Sequence, residues 1–291
     1  MAYLIGVTCL WAFSFSLIGV YLAGQVDGWF SVLTRTVLAA LVFAPMLKPR
    51  AVPKRIALKL MAIGAIQLGL MYCFYYQSFL YLSVPEVLLF TVLTPIYITL
   101  FNDAADKKFH SHFFLTAGIA VLGAVAIRYN GIDSGFLFGF FLVQMSNLCF
   151  GIGQVSYKRL IATENLNVNQ STVFGWFFLG ALIVAIIAFL LFGNLQKLPT
   201  TGLQWGILIY LGTIASGLGY FFWNRGATLV NVGALAIANN LLIPAGILVN
   251  LVIWNRDADI LRLSIGGLII VSSLLLNQWL TKKQKPIAKL A

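Results

Sequence analysis

The side chains able to do chemistry in this sequence are few, because 60% of its 291 residues are hydrophobic and only 9% are charged. Inside the apolar stretches, neutral donors and acceptors occur at Trp11, Ser14, Gln67, Thr91, Thr94, Gln144, Asn147, Asn239 and Asn240. Gln144 and Asn147 are three apart and share a helical face, whereas the adjacent Asn239 and Asn240 cannot both point the same way. Two formal charges join them: Arg35, whose guanidinium can fork a carboxylate, and Glu86, which can serve as its partner or as a proton acceptor. Tyr75 and Tyr220 occupy related places in the two halves of the chain and are candidate gates. This set suits the holding of a ligand with neutral polar groups and a carboxylate. The competing structural reading is interhelical hydrogen bonding, worth about 1 kcal/mol per bond, with Arg35 paired to Glu86 or snorkelling to phosphate.

Other chemistries find no support. There is no phosphate-binding glycine loop, no HExxH and no serine–histidine arrangement, which argues against an ATPase or an enzyme. Cys9, Cys73 and Cys149 lie in apolar segments without CxxC spacing and read as buried thiols acting as small hydrophobes. His110 and His112 sit in a charged loop and read as solvated, so neither metal nor cofactor is expected. The net charge of +11 comes from basic residues in short segments between apolar runs, not along one face, so nucleic acid is not the expected partner. Gly135/Gly139 and Gly202/Gly206 have the GxxxG spacing that permits close helix approach.

The elements that must position these residues are membrane-spanning helices, because apolar windows near 20 residues recur along the chain. They fall at about 2–22, 29–47, 57–79, 84–101, 113–129, 135–157, 172–192, 203–223, 230–253 and 262–280, an all-α protein of ten spans. The first stretch lacks the basic flank and small-residue cleavage site of a signal peptide and is expected to be retained. Lys and Arg concentrate in alternate loops, around 48–59, 107–108, 158–159, 225 and 282–289, which predicts both termini in the cytoplasm. An odd number of helices per half would place two copies in opposite orientations, the inverted repeat of secondary transporters. Pro85 aligns with Gly233 and Pro95 with Pro244 under such a duplication. The expected division is therefore 1–130 and 131–280, each a five-helix repeat, followed by a basic cytoplasmic tail at 281–291.

The stretches LWAFSFS (10–16), YLAGQVD (21–27), LLFTVLTPIYITL (88–100), LVQMSN (142–147), YKRL (157–160), LQWGIL (203–208), ASGLGYFFWN (215–224) and PAGILVNLVIW (244–254) carry a resemblance. They resemble the EamA-like drug/metabolite transporter superfamily and, within it, the carboxylate/amino acid/amine branch with its bacterial biotin-uptake members. The resemblance covers most of the chain. It implies two inverted five-helix repeats in the bacterial inner membrane, a cytoplasmic N-terminus, and import of biotin by alternating access without an ATP-binding partner. No binding motif is carried over with it. The residues named above are compatible with biotin, whose urea needs neutral donors and acceptors and whose valerate needs a cation. Export of amino acids or related metabolites is the alternative in the same superfamily. A binding subunit that depends on an ATPase is the alternative from another class. Membrane lipid is the only other expected partner, with no obligatory protein partner.

Overall fold

The computed structural model describes residues 2–107, 134–164, 169–230, 232–254 and 260–284, with isolated helical positions between 115 and 126. Among these residues the chain is all-helical. Seven helices are long and apolar enough to cross a membrane: α1 (Ala2–Leu22), α2 (Gly28–Met46), α3 (Lys54–Ser78), α4 (Val84–Ala105), α5 (Ser134–Thr163), α6 (Gln170–Phe192) and α7 (Gly202–Thr228). Two further helices follow, α8 (Val232–Trp254) and α9 (Ile260–Gln284). The expected span at 113–129 lies largely outside the described residues, as do His110 and His112 and the end of the basic tail. The molecule is a multi-pass membrane protein. Its outer shell exposes Leu58, Ile187, Leu190, Leu248, Val252 and Leu268, which water would penalise and lipid accepts.

Several helices run past their expected ends. α4 reaches Ala105, α5 reaches Thr163 and α7 reaches Thr228, because hydropathy marks the apolar part of a helix while the backbone bonds continue into its polar end. Lys158, Arg159 and Glu164 use this extension. Lys158 Nζ donates to the carbonyls of Ala227 and Val230 at the end of α7, and Arg159 donates to Asn102 and Asp106 at the end of α4. Lys59 of α3 pairs with Glu164 at 2.9 Å. One end of α5 thus ties down three other helices.

The starts of the helices are capped locally. Asp27 accepts from the Phe30 amide at 2.7 Å, and capping boxes form at Ser83/Glu86 and Thr201/Gln204. Helix interiors are less regular. α3 widens to a π segment at Ala65–Leu70 and α7 at Tyr210–Leu218. α4 is broken by a 3-10 turn at Thr91–Leu93, just ahead of Pro95. Proline lacks the amide that would bond the Thr91 carbonyl, and the Thr94 hydroxyl takes its place at 2.7 Å. The Thr94 amide also turns to Thr91, which releases the Phe90 carbonyl for a partner outside its helix.

Packing joins these helices in a pattern. α1 lies on α8 and α5 on α4; α2 lies on α7 and α6 on α3; α2 and α6 meet each other. The α3–α6 crossing depends on two glycines. A Cβ on Gly64 would lie 1.8 Å from the Phe177 carbonyl oxygen, and one on Gly180 would lie 1.8 Å from that of Met61. The GxxxG pairs behave differently: Gly139 packs on the Tyr81–Leu82 turn, but Gly202 and Gly206 face open space, so their spacing marks no contact. Cys73 and Cys149 are buried as expected, whereas Cys9 is exposed on the outer face of α1, where lipid suits a thiol as well as a core does.

Candidate functional site

Seven helices enclose a cavity, and the break in α4 at Thr91 forms part of its wall. α1 lines it with Trp11, Ser14 and Phe15, α2 with Arg35, and α3 with Met71, Tyr72 and Tyr75. Thr91 and Thr94 of α4, Ser146, Asn147 and Phe150 of α5, Tyr220 and Trp223 of α7, and Asn239 and Leu242 of α8 complete it.

Aromatic rings and polar side chains share its walls. The Trp11 ring centroid is 4.9 Å from that of Tyr220 and 5.0 Å from that of Trp223, and Tyr72 lies edge-on to Tyr220 at 5.8 Å. Phe15 meets Tyr75 at 5.2 Å. The Trp11 indole donates to the Ala215 carbonyl at 2.8 Å, a carbonyl inside the π segment of α7, where the widened turn tilts backbone groups out of the helix ladder.

Arg35 is 2% exposed. Its Nε donates to Ser216 Oγ at 3.1 Å, and its terminal nitrogens donate to the hydroxyls of Tyr76 at 3.0 Å and Tyr72 at 2.8 Å. Tyr72 and Ser216 also bond each other at 2.8 Å. All these partners are neutral, and among the described residues no carboxylate meets the guanidinium. A buried cation surrounded by hydroxyls keeps its charge uncompensated, and in a low-dielectric site that charge attracts an anion.

The expected ion pair with Glu86 is not formed. Glu86 accepts from the backbone amide and hydroxyl of Ser83, both at 2.8 Å, within the cap of its own helix.

Eight of the expected binding residues line the cavity: Trp11, Ser14, Arg35, Tyr75, Thr91, Asn147, Tyr220 and Asn239. Tyr75 and Tyr220 border this one space rather than standing at opposite ends of a path. Three residues lie elsewhere. Gln67, inside the π segment of α3, donates to Asn224 at 3.2 Å. Gln144 stands behind Asn147 and bonds it at 3.2 Å. Asn240 is not among the lining residues, while its neighbour Asn239, which is, exchanges bonds with Gln154 at 3.4 Å.

Sequence reasoning did not select Tyr72, Ser146, Ser216, Trp223, Gln154 or Asn224. Gln154 lies two turns beyond Asn147 on the same helical face, so its placement left a signal.

A bundle of membrane-crossing helices around a mid-helix cavity, lined by a bare cation, aromatic rings and neutral polar groups, defines a membrane carrier of small molecules. The family follows from the sequence: residues 1–129 and 137–278 match the EamA-like transporter family, and the chain belongs to it. It is 52% identical over 96% of its length to the probable biotin transporter of Pseudomonas aeruginosa, covering 97% of that protein. It is 49% identical over 99% of its length to the biotin transporter of Escherichia coli K12, covering 96% of that protein. A crystal structure at 17% identity shares the fold, with a TM-score of 0.65 over 97% of this chain and 98% of its own.

Proposed function

We propose that this protein imports biotin across the bacterial inner membrane by alternating access, with Arg35 receiving the valerate carboxylate. The observation that carries the reading is the buried Arg35 guanidinium, which lines the cavity and whose hydrogen-bond partners among the described residues are neutral hydroxyls. The full-length similarity to proteins named biotin transporters supplies the substrate. The aromatic walls suit the fused rings of biotin, and the neutral amides and hydroxyls suit its urea.

Ten spans in two inverted repeats, 1–130 and 131–280 with the basic tail 281–291 after them, form part of this proposal. Exchange of α1 with α5, α2 with α6, α3 with α7 and α4 with α8 turns each observed packing pair into another: α1–α8 into α5–α4, and α2–α7 into α6–α3. The irregularities match as well, with π segments in α3 and α7 and prolines inside α4 and α8. Such a two-fold relation lets one half rock against the other around a fixed site. With the basic loops inside, both termini are cytoplasmic, and the Lys59, Lys158 and Arg159 contacts lie on the cytoplasmic side.

The test is uptake of labelled biotin by the purified chain in liposomes under imposed proton, sodium and voltage gradients. Saturable accumulation driven by one of these, without ATP or a second protein, is expected. Its absence from a folded, correctly reconstituted protein would overturn the reading.

A further inference from the structure

We infer that the cavity reads a urea through Asn147, which accepts an N–H from the substrate, and through Ser14 and Trp223, which donate to the carbonyl beside it. The inference rests on the biotin reading above and assigns the head-group half of that site.

The break in α4 fixes the orientation of Asn147. Its Nδ2 donates to the released Phe90 carbonyl at 2.9 Å and to Gln144 Oε1 at 3.2 Å. Both partners are acceptors, so a flipped amide would set oxygen against oxygen. Gln144 is held in turn, its Oε1 accepting from the Tyr97 hydroxyl at 3.3 Å. The nitrogen end of Asn147 is therefore committed to the protein, and its Oδ1 remains a bare acceptor on a residue that lines the cavity.

Donors of the opposite sense lie on the same cavity. Ser14 Oγ and Trp223 Nε1 are both buried without a hydrogen-bond partner. The contrast with Trp11 is informative: the two indoles are 5.0 Å apart, and Trp11 is satisfied by the Ala215 carbonyl while Trp223 is not. Trp223 can only donate, since an indole has no acceptor. A substrate group that fits this inventory presents both an N–H and a carbonyl, as a urea does. Buried polar groups left unpaired reject ligands that lack the matching atoms. The residues involved sit on α1, α5 and α7 and are distinct from the Arg35 cluster, which joins Arg35 of α2, Tyr72 and Tyr76 of α3 and Ser216 of α7, so each end of the substrate has its own side chains.

Competition against labelled biotin in the full-length reconstituted chain tests this. Desthiobiotin keeps the urea, 2-iminobiotin replaces its carbonyl oxygen by an imino group, and lipoate has the same acid chain with no urea. Desthiobiotin is expected within about 10-fold of biotin, 2-iminobiotin about 10-fold weaker still, and lipoate at least about 100-fold weaker than biotin, as for a site whose polar groups go unmatched. Ser14→Ala and Trp223→Phe should each weaken biotin about 10-fold and leave inhibition by lipoate unchanged. Lipoate competing as well as desthiobiotin would overturn the inference on wild-type protein alone, and so would variants that weaken biotin and lipoate equally. Absence of biotin uptake by the wild type would remove the transport reading and this inference with it, whereas uptake without urea discrimination would remove the inference alone.

Discussion

Arg35 holds Tyr72 in two ways at once: the guanidinium carbon lies 4.3 Å from the centre of the Tyr72 ring, and a terminal nitrogen donates to the hydroxyl of the same residue at 2.8 Å. The ring face offers electron density and the hydroxyl offers a lone pair, so the cation is oriented without being neutralised. A carboxylate in the same position would orient it equally well but would remove its attraction for an anionic substrate.

Tyr72→Phe is therefore informative, because it keeps the ring and removes the hydroxyl that bridges Arg35 and Ser216. Loss of one hydrogen bond to a charged group, about 1.5–3 kcal/mol, should raise the half-saturating biotin concentration more than tenfold at unchanged protein level. Uptake kinetics measure it, and wild-type kinetics would show that the bond does not position the cation.

Gly180→Val should prevent α3 and α6 from meeting, since even a Cβ at this position collides with the Met61 carbonyl. Backbone must move, at a cost of about 3 kcal/mol in the range of severe overpacking. The expected result is a lower midpoint of thermal unfolding in detergent, together with a lower yield.

Glu86→Gln should be mild and Glu86→Ala harmful. Glutamine can still accept from Ser83 and retain the capping box, whereas alanine removes a cap worth about 1 kcal/mol. Thermal unfolding separates the two variants. Uptake by Glu86→Gln that loses its dependence on a proton gradient would instead assign proton coupling to this carboxylate.

Gln67 and Asn224 are both fully buried and bonded across α3 and α7. Gln67→Leu should strand the Asn224 amide oxygen, and the double variant with Asn224→Leu should recover part of the loss. A coupling of about 0.6–1.7 kcal/mol is expected from bonds of this kind in membranes, measured by a double-mutant cycle on unfolding.

Much of this arrangement could be read from residue types. Seven of the expected spans, among the described residues, followed from apolar length, and the polar residues at mid-span were rare enough to name before their partners were known. Facing was harder. Gln67 and Met71 are one turn apart in sequence, yet Met71 lines the cavity and Gln67 lies in a dry amide pair, because the π segment of α3 shifts the helical phase between them. Gln144 and Asn147 share a face, but only Asn147 lines the cavity. Arg35 and Glu86 were the obvious charge pair by type. The hydroxyls of Tyr72, Tyr76 and Ser216 displaced that pairing, and a hydroxyl among many aromatic and small residues carries no sequence signal of its own.

The central claim is that Arg35 recognises the substrate carboxylate, and the direct measurement compares biotin with biotinamide as competitors in wild type and Arg35→Gln. Wild type should prefer the free acid by about 100-fold, the equivalent of about 2.7 kcal/mol, and Arg35→Gln should bind the two nearly equally while binding biotinamide as wild type does. A variant that keeps the full preference for the acid would contradict the account.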